Sequence, residues 1–218
     1  MEMKSKKFII FDLDGTLIDS SGDIAWTANE TLKEMGLETR SVDYIKDCIG
    51  WGVWPLMEKL LPGASVEVIN HGRDIFLKHY AGHLTVETVL YNGIYELLNR
   101  IKDEGKGLGI VTNKPISLTE IIVSEVGIKD FFSIIFGGDS FENKKPHPEP
   151  ILKVMASKAL EPKDFVMVGD SKVDIEAGKG AGIETIGVAY GFRGAGELEK
   201  AGASIIVESV EELSSTLI

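Results

Sequence analysis

Six residues that carry a charge or a hydroxyl group stand at, or shortly after, the ends of apolar runs in the sequence. They are Asp12, Asp14, Thr112, Lys145, Asp170 and Asp174. Carboxylates gathered at one site repel one another strongly unless a cation neutralises them. A hard divalent cation with oxygen ligands does this, and Mg²⁺ is the usual ion where phosphate groups bind. These residue types therefore indicate a magnesium site for a phosphorylated molecule, with a lysine as the second positive charge.

Each of these residues also has an ordinary structural explanation when it is taken alone. The pair formed by Asp14 and the glycine after it is a common turn signal. Thr112 is a β-branched residue of the kind that strands favour, and Lys145 suits a solvated loop. Asp170 and Asp174 are one helical turn apart, where capping of a helix explains them equally well. Their joint occurrence, in this order and at these strand ends, favours a functional site.

Six short and nearly continuous apolar runs predict strands that are buried on both faces. They span residues 7–12, 107–112, 131–136, 165–169, 184–189 and 203–207. Amphipathic segments alternate with them: one at 94–104, one from a capping box at Ser117 through Val126, and one from Pro148 to about Leu160. This alternation predicts an α/β doubly wound fold with a mostly parallel sheet. In such sheets ligands bind beyond the carboxyl ends of the strands, where the polar residues stand.

One interval is too long for a simple strand–helix–strand unit. Residues 14–106 separate the first two strands, whereas such a unit needs only about 30 residues in all. Within the interval, Ile24, Ala28, Leu32 and Met35 share a helical face that Gly36 ends, and further helices are predicted at 53–61 and 66–80. We therefore expect a small inserted helical domain at residues 16–83. The α/β core would consist of residues 1–15 and 84–218.

The composition limits the classes of partner. A formal net charge of −11, with no basic block to offset it, argues against nucleic acids and anionic membranes. The apolar part of residues 1–11 is too short for a signal peptide, and no apolar run approaches the about 18 residues of a membrane span. The one cysteine, Cys48, fits a reducing compartment. We expect a soluble, cytoplasmic protein that acts on a small phosphorylated metabolite. The sequence does not indicate whether it is a monomer or a dimer.

The motifs resemble those of a known enzyme superfamily. Residues 12–20, DLDGTLIDS, are similar to the first motif of the haloacid dehalogenase (HAD) superfamily. Thr112, Lys145 and the stretch 169–174 match its second, third and fourth motifs in order. The predicted helical insertion corresponds to that superfamily's cap domain. Residues 136–139 (FGGD) and 144–148 (KKPHP) resemble the phosphoglycolate phosphatase branch.

This resemblance implies a phosphatase with a covalent intermediate. Asp12 would attack phosphorus and carry the phosphoryl group as an aspartyl-phosphate until water removes it. Asp14 would protonate the leaving oxygen and then take a proton from the water. Thr112 and the backbone N–H of Asn113 would bind the phosphoryl oxygens, and Lys145 would favour the unprotonated nucleophile.

The resemblance also implies a set of Mg²⁺ ligands. Asp12 and Asp170 would bind the ion with their carboxylates, and Asp14 with its backbone carbonyl. Asp174 would hold metal-bound water or orient Lys145. Asp14 disfavours two other activities of the superfamily. The dehalogenases that give the superfamily its name lack an aspartate at this position, and phosphonate-cleaving relatives carry a small apolar residue there.

Residues outside these motifs are less specific. Within the insertion we place Gly50 and Trp51 nearest the leaving group, although a turn with a buried tryptophan explains them as well. Three loop residues near the same edge are expected to be supporting or surface residues: Lys114, His147 and Arg193. Four cations of the insertion are candidates to bind a carboxylated substrate, and the sequence does not choose among Arg40, Lys46, Lys59 and Arg73.

Other functions share some of these features. A phosphomutase of the β-phosphoglucomutase kind would use every core residue named above. Nucleotides, sugar phosphates and pyrophosphate remain alternatives to phosphoglycolate as substrates. A receiver-like signalling domain is disfavoured by the insertion and by Asp14, and a retired phosphatase used as a binding module is disfavoured because every catalytic residue type is present.

Overall fold

The computed structural model describes residues 3–218 and contains strands and helices that alternate along most of the chain. The strands are β1 (Phe8–Phe11), β2 (Ile18–Asp19), β3 (Val89–Leu90), β4 (Gly107–Val111), β5 (Ile134–Phe136), β6 (Phe165–Gly169), β7 (Glu184–Val188) and β8 (Ile205–Val207). The helices are α1 (Ser21–Glu34), α2 (Val42–Lys46), α3 (Val53–Leu60), α4 (Val66–Ala81), α5 (Ile94–Asp103), α6 (Ile116–Glu125), α7 (Glu149–Ala156), α8 (Lys172–Gly180), α9 (Ala195–Ala201) and α10 (Val210–Leu217).

Six strands form one parallel sheet in the order β5-β4-β1-β6-β7-β8. The central strand β1 has the sequence FIIF and is fully buried, as is β6, because helices cover both faces of the sheet. The alternating order of strands and helices had predicted this α/β doubly wound architecture, and the prediction is confirmed. Since all six strands run in the same direction, their carboxyl ends share one edge.

Several predicted element ends differ from the structure, and three of these differences concern β5, α6 and α7. A 3₁₀ turn occupies Lys129–Phe131, so the strand predicted at 131–136 begins only at Ile134. The capping box predicted at Ser117 is wrong: α6 begins one residue earlier, after Pro115, and its Ile116 N–H donates to Asp139 Oδ1 at 2.8 Å. The third difference is α7, which ends at Ala156 rather than near Leu160.

Four helices, α1 to α4, lie between β2 and β3, and none of them contributes to the six-stranded sheet. We call residues 21–81 the helical segment. Its interior includes Ile24, Ala28 and Leu32 from the predicted face of α1, together with Phe76 and Tyr80 of α4. Gly36 follows α1 with a φ of +71°, a backbone conformation that ends helices and that glycine adopts without strain. The bounds of 16–83 for a separate domain stay a prediction.

Both chain connections between the sheet and the helical segment run side by side. Strands β2 and β3 form a two-stranded antiparallel ribbon in which Ile18 pairs with Leu90 and Asp19 with Val89. Just beyond the ribbon, the fully buried carboxylate of Asp23 accepts hydrogen bonds from the Thr88 N–H at 2.8 Å and its hydroxyl at 2.7 Å. The start of α1 is thereby fixed to the segment that returns to the sheet.

None of the helices described within residues 3–218 combines the length and the apolar character that crossing a membrane requires.

Candidate active site

Three of the predicted site residues follow three adjacent strands. Asp12 follows β1, Thr112 follows β4 and Asp170 follows β6. Because β1 lies between β4 and β6 in the sheet, the parallel strands bring these side chains to the same point of the carboxyl edge. All three residues are buried, so the chain holds two carboxyl groups and a hydroxyl in a largely water-free place.

A cluster of three carboxylates lies at this edge. Asp12, Asp170 and Asp174 each offer one oxygen, and the three oxygens lie within 4.8 Å of one another. Burial, together with repulsion from Asp174, raises the pKa of Asp12 to about 7, although Lys145 opposes the shift. Burial and the charges of Asp174 and Asp12 also raise the pKa of Asp170 well above its usual value. Three ionised carboxylates this close together repel one another unless a cation neutralises them. Their oxygen atoms are the ligands that a hard divalent ion prefers.

Lys145 provides the positive charge that the protein itself places beside the cluster. Its side chain is 1% exposed, and its Nζ lies 2.9 Å from Asp12 Oδ1 and 2.6 Å from Asp174 Oδ1. Burial alone would lower the pKa of this lysine, but the two carboxylates outweigh it and raise the pKa. The ordinary explanation as a solvated loop lysine is therefore wrong.

Asp174 has two structural tasks at once. Its Oδ2 accepts hydrogen bonds from the N–H of Ser171 at 3.1 Å and from its hydroxyl at 2.8 Å, which forms the capping box of α8. Its Oδ1 holds Lys145. From the sequence, helix capping and membership of the site were alternative explanations for Asp174. In the structure Asp174 caps the helix and also belongs to the site. Asp170 instead accepts a hydrogen bond from the Phe192 N–H at 2.7 Å.

The turn after β1 requires a glycine. Gly15 has a φ of +81°, and a Cβ atom there would lie 2.2 Å from Asp170 Oδ2. Any larger residue would therefore strain the backbone and push the carboxylate of Asp170 away from Asp12. The turn that the Asp-Gly pair predicts is present. Because its second residue is glycine, the first motif can approach Asp170 of the fourth motif closely.

The side chain of Asp14 lies apart from the carboxylate cluster. Its Oδ1 accepts hydrogen bonds from Ser20 Oγ at 2.6 Å and pairs with Lys114 Nζ at 2.8 Å. Lys114 also donates to the hydroxyl of Tyr80 on α4 at 2.5 Å. Burial would lower the pKa of Lys114, but Asp14 and Tyr80 raise it, and burial raises the pKa of Tyr80 to about 12. Lys114 is thus a buried residue of the site and not a surface lysine.

Asn113 connects three parts of the chain. Its side-chain Nδ2 donates to the backbone carbonyl of Lys145 at 2.9 Å and to that of Gly50 at 3.0 Å. Arg193, from the loop after β7, donates to the carbonyl of Ile49 and lies 3.7 Å from Asp47 Oδ1. The loop at 47–50 of the helical segment is therefore held against the edge of the sheet by side chains from the core.

A pocket lies between the carboxyl edge and the helical segment. Its polar surface consists of Asp12, Asp14, Thr112, Asn113, Lys114 and the Tyr80 hydroxyl, and its apolar wall consists of Ile24, Ile49, Val53, Leu56 and Phe76. Gly50 lines the pocket, but Trp51 does not, and its ring lies 5.4 Å from Lys172 Nζ instead. His147 is an exposed loop residue. None of the four cations considered for a carboxylated substrate lines this pocket: Arg40, Lys46, Lys59 and Arg73.

Two residues of the site were not found from the sequence. Tyr80 stands at the end of an amphipathic helix, on the same face as Phe76, and looks like an ordinary core aromatic. Ser20 belongs to the first motif, but its contact with Asp14 depends on the turn between them. No local sequence pattern indicates either contact. The contact of Tyr80 joins segments that are distant in the sequence, and that of Ser20 depends on the conformation of a turn.

Comparison with known proteins agrees with the family resemblance of the sequence. A family model described as haloacid dehalogenase-like hydrolase matches residues 9–188. A phosphoglycolate phosphatase of Colwellia psychrerythraea is 35% identical over 100% of this chain and 99% of its own length. A phosphoglycolate phosphatase of Aquifex aeolicus is 41% identical over 85% of this chain and 86% of its own.

Solved structures have the same fold. The crystal structure of a predicted phosphoglycolate phosphatase from Haemophilus somnus superposes with a TM-score of 0.91 at 30% identity, covering 98% of each chain. That of a predicted phosphatase from Clostridium acetobutylicum has a TM-score of 0.88 at 27% identity, covering 96% of this chain and 97% of its own.

Proposed function

This chain belongs to the haloacid dehalogenase-like hydrolase family and is a phosphoric monoester hydrolase, and we propose that it is a Mg²⁺-dependent phosphatase with Asp12 as its nucleophile. The observation that carries the proposal is the position of the buried Asp12 carboxylate. It lies beside Lys145 on one side and within the cluster formed with Asp170 and Asp174 on the other. A carboxylate with Lys145 on one side and a place for a divalent cation on the other suits an attack on an anionic phosphate group.

We propose a small phosphate monoester as the substrate, with phosphoglycolate first. The relatives from Colwellia and Aquifex carry that name. The cavity volume of the pocket is about 50 Å³, which suits a compact substrate. Its apolar wall leaves few polar partners for a sugar or a nucleoside.

The residues present fit a bound Mg²⁺. Asp12, Asp170 and Asp174 would hold the ion with their carboxylates, and the backbone carbonyl of Asp14 would be a further ligand. When bound, Mg²⁺ neutralises the carboxylates and stabilises the charge of the transferring phosphoryl group.

In the first step, an oxygen of Asp12 forms a bond to phosphorus while the bond from phosphorus to the ester oxygen breaks. Asp14 donates its proton to that departing oxygen, so the leaving group departs as an alcohol. Thr112 and the N–H of Asn113 hydrogen-bond the phosphoryl oxygens, and Lys145 stabilises the negative charge between Asp12 and the phosphate.

In the second step, water attacks the phosphorus of the aspartyl-phosphate. Asp14, now a carboxylate, takes a proton from that water, and the bond between Asp12 and phosphorus breaks. Inorganic phosphate leaves, and both carboxyl groups return to their starting states. One group thus acts first as acid and then as base.

We propose that residues 16–83 act as a cap that closes over the pocket and excludes bulk water during the first step. The hydrogen bond from Asn113 to the Gly50 carbonyl supports this, because it joins the phosphate-binding loop to the helical segment. Gly50 remains a proposed substrate contact, whereas Trp51 does not line the pocket and is no longer proposed as one. A small phosphorylated metabolite is the proposed partner, and Cys48, free and buried, fits a reducing cytoplasm.

We expect Asp14→Asn to lower kcat by about 10²–10⁴-fold, because asparagine neither donates nor accepts the proton that each step requires. The loss should be smaller for the first step with 4-nitrophenyl phosphate, whose leaving group needs no protonation. The burst of 4-nitrophenol release measures the first step, and steady-state phosphate release measures complete turnover. Asp103→Asn, at an exposed position of α5, is the matched control. An unchanged kcat in Asp14→Asn would exclude Asp14 as the acid and base.

A panel of phosphate esters tests the function directly. We expect phosphate release from phosphoglycolate with the highest kcat/KM, no turnover after removal of divalent metal by EDTA, and recovery with excess Mg²⁺. Glucose phosphates, nucleoside monophosphates and pyrophosphate complete the panel. Rapid isomerisation of a sugar phosphate, with little phosphate release, would show a mutase instead.

A further inference from the structure

The pocket contains one cation of its own. Among residues 3–218, Lys114 is the only lysine, arginine or histidine that lines it, and its side chain is 4% exposed. Lys145 does not line the pocket and is already paired with Asp12 and Asp174. The phosphate mechanism described above assigns no task to Lys114, although burying a lysine is costly.

Lys114 and Tyr80 each have a hydrogen-bond donor to spare. An ammonium group has three N–H donors, and that of Lys114 uses one for Asp14 Oδ1 at 2.8 Å and one for the Tyr80 hydroxyl at 2.5 Å. The Tyr80 oxygen accepts that bond, and within residues 3–218 its own O–H donates to no protein acceptor. Two unused donors, one of them charged, therefore stand next to each other at the pocket.

The surroundings favour an anion with two oxygens at this place. The apolar wall of the pocket includes Leu56, Phe76 and Ile24. This wall excludes water and thereby strengthens charge-assisted hydrogen bonds. A carboxylate accepts from both donors at once. The phosphate group does not compete for them, because its place is at Asp12 and Thr112.

We propose that Lys114 and Tyr80 bind the carboxylate of the substrate, and that the site therefore takes phosphate esters of short 2-hydroxy acids. The inference rests on the proposed function. Lys114 Nζ lies 2.8 Å from Asp14 Oδ1, the group that protonates the ester oxygen, so the carboxylate must lie close to that oxygen. A carboxylate on the carbon that bears the ester oxygen meets this requirement, and one farther along a chain does not.

The two binding residues come from different parts of the protein. Tyr80 belongs to α4 of the helical segment, whereas Lys114 belongs to the loop after β4. A carboxylate held by both would join the helical segment to the core during the reaction. Specificity and closure of the pocket would then depend on the same pair of contacts.

Binding to the inactive Asp12→Asn variant tests this assignment without turnover. Isothermal titration in Mg²⁺ compares phosphoglycolate with 2-hydroxyethyl phosphate, which has a hydroxyl group in place of the carboxylate. We expect the first ligand to bind at least about tenfold more tightly, as one charge-assisted hydrogen bond implies. Adding Tyr80→Phe should remove most of that preference and leave the affinity for 2-hydroxyethyl phosphate unchanged.

The controls separate a binding role from a structural one. Tyr44→Phe, on an exposed tyrosine of the same helical segment, should keep the full preference. In the otherwise unmodified enzyme, Tyr80→Phe should raise the KM for phosphoglycolate more than the KM for 2-hydroxyethyl phosphate. Equal affinity for the two ligands, or a preference that survives Tyr80→Phe, overturns the assignment. Absence of phosphate release from every ester in the unmodified enzyme would instead overturn the phosphatase function, and the titration distinguishes the two failures.

Discussion

Asp12→Asn is expected to lower kcat by about 10⁴-fold or more on every phosphate ester, which is the size of loss seen when an enzyme's nucleophile is removed. Asparagine has nearly the shape of aspartate, but its amide is a poor nucleophile. The covalent intermediate should disappear with it, so rapid quenching of the variant should leave no acid-stable phosphate on the protein. Phosphate release and the quenched phosphoprotein are the two measurements.

The fold should survive this substitution. Asp12 is one of three mutually repelling carboxylates, so a neutral residue removes repulsion while it also loses the pair with Lys145. We therefore expect the Tm of the metal-free variant to stay within a few degrees of the unmodified chain. Retained turnover in a homogeneous preparation, free of contaminating phosphatase, would exclude Asp12 as the nucleophile.

Lys145→Met should reduce both activity and stability. It removes the ammonium group that contacts Asp12 and Asp174, whose oxygens lie 2.9 and 2.6 Å from Lys145 Nζ. Loss of one charge-stabilising group of a transition state lowers kcat about 10²–10³-fold. Loss of one partner of a buried ion pair costs about 3–5 kcal/mol of folding free energy, because the other charges stay buried. Urea unfolding without metal and phosphate release with Mg²⁺ measure the two effects.

A second substitution shows whether Lys145→Met loses stability through unpaired charges or through lost packing. Asp174→Asn, added to Lys145→Met, removes a carboxylate that the first change left without a partner, and asparagine can still cap α8 through its side-chain oxygen. The double variant should regain part of the stability and none of the activity. Lys163→Met, on a lysine whose side chain is 71% exposed, is the control. A Lys145→Met protein as stable and active as this control would contradict the assigned position of Lys145.

The parts of the fold that the sequence predicted are those governed by local pattern. Continuous apolar runs such as the one at β6 indicate strands buried on both faces, and the strand order places Asp12, Thr112 and Asp170 together. The face containing Ile24, Ala28 and Leu32 likewise indicates α1. In these elements burial follows directly from side-chain periodicity, so the pattern is sufficient.

Other parts depend on partners that are remote in the sequence. The cap of α6 is Asp139, more than twenty residues after the helix begins, and the local capping signal at Ser117 was misleading. The sequence predicted Lys114 to be a supporting or surface residue. No pattern in its loop indicates the hydrogen bond to Tyr80, which comes from another part of the chain. The short helix α2 and the ribbon of β2 and β3 are too brief for periodicity to reveal them.

The two-residue ribbon has a consequence for how such enzymes diversify. The catalytic sheet meets the helical segment through the pairs Ile18–Leu90 and Asp19–Val89, so an insertion of any size can begin and end there as neighbouring strands. Natural variation or laboratory recombination can therefore exchange the whole module at this junction. The residues proposed to perform the chemistry would stay in place while the helical segment is replaced.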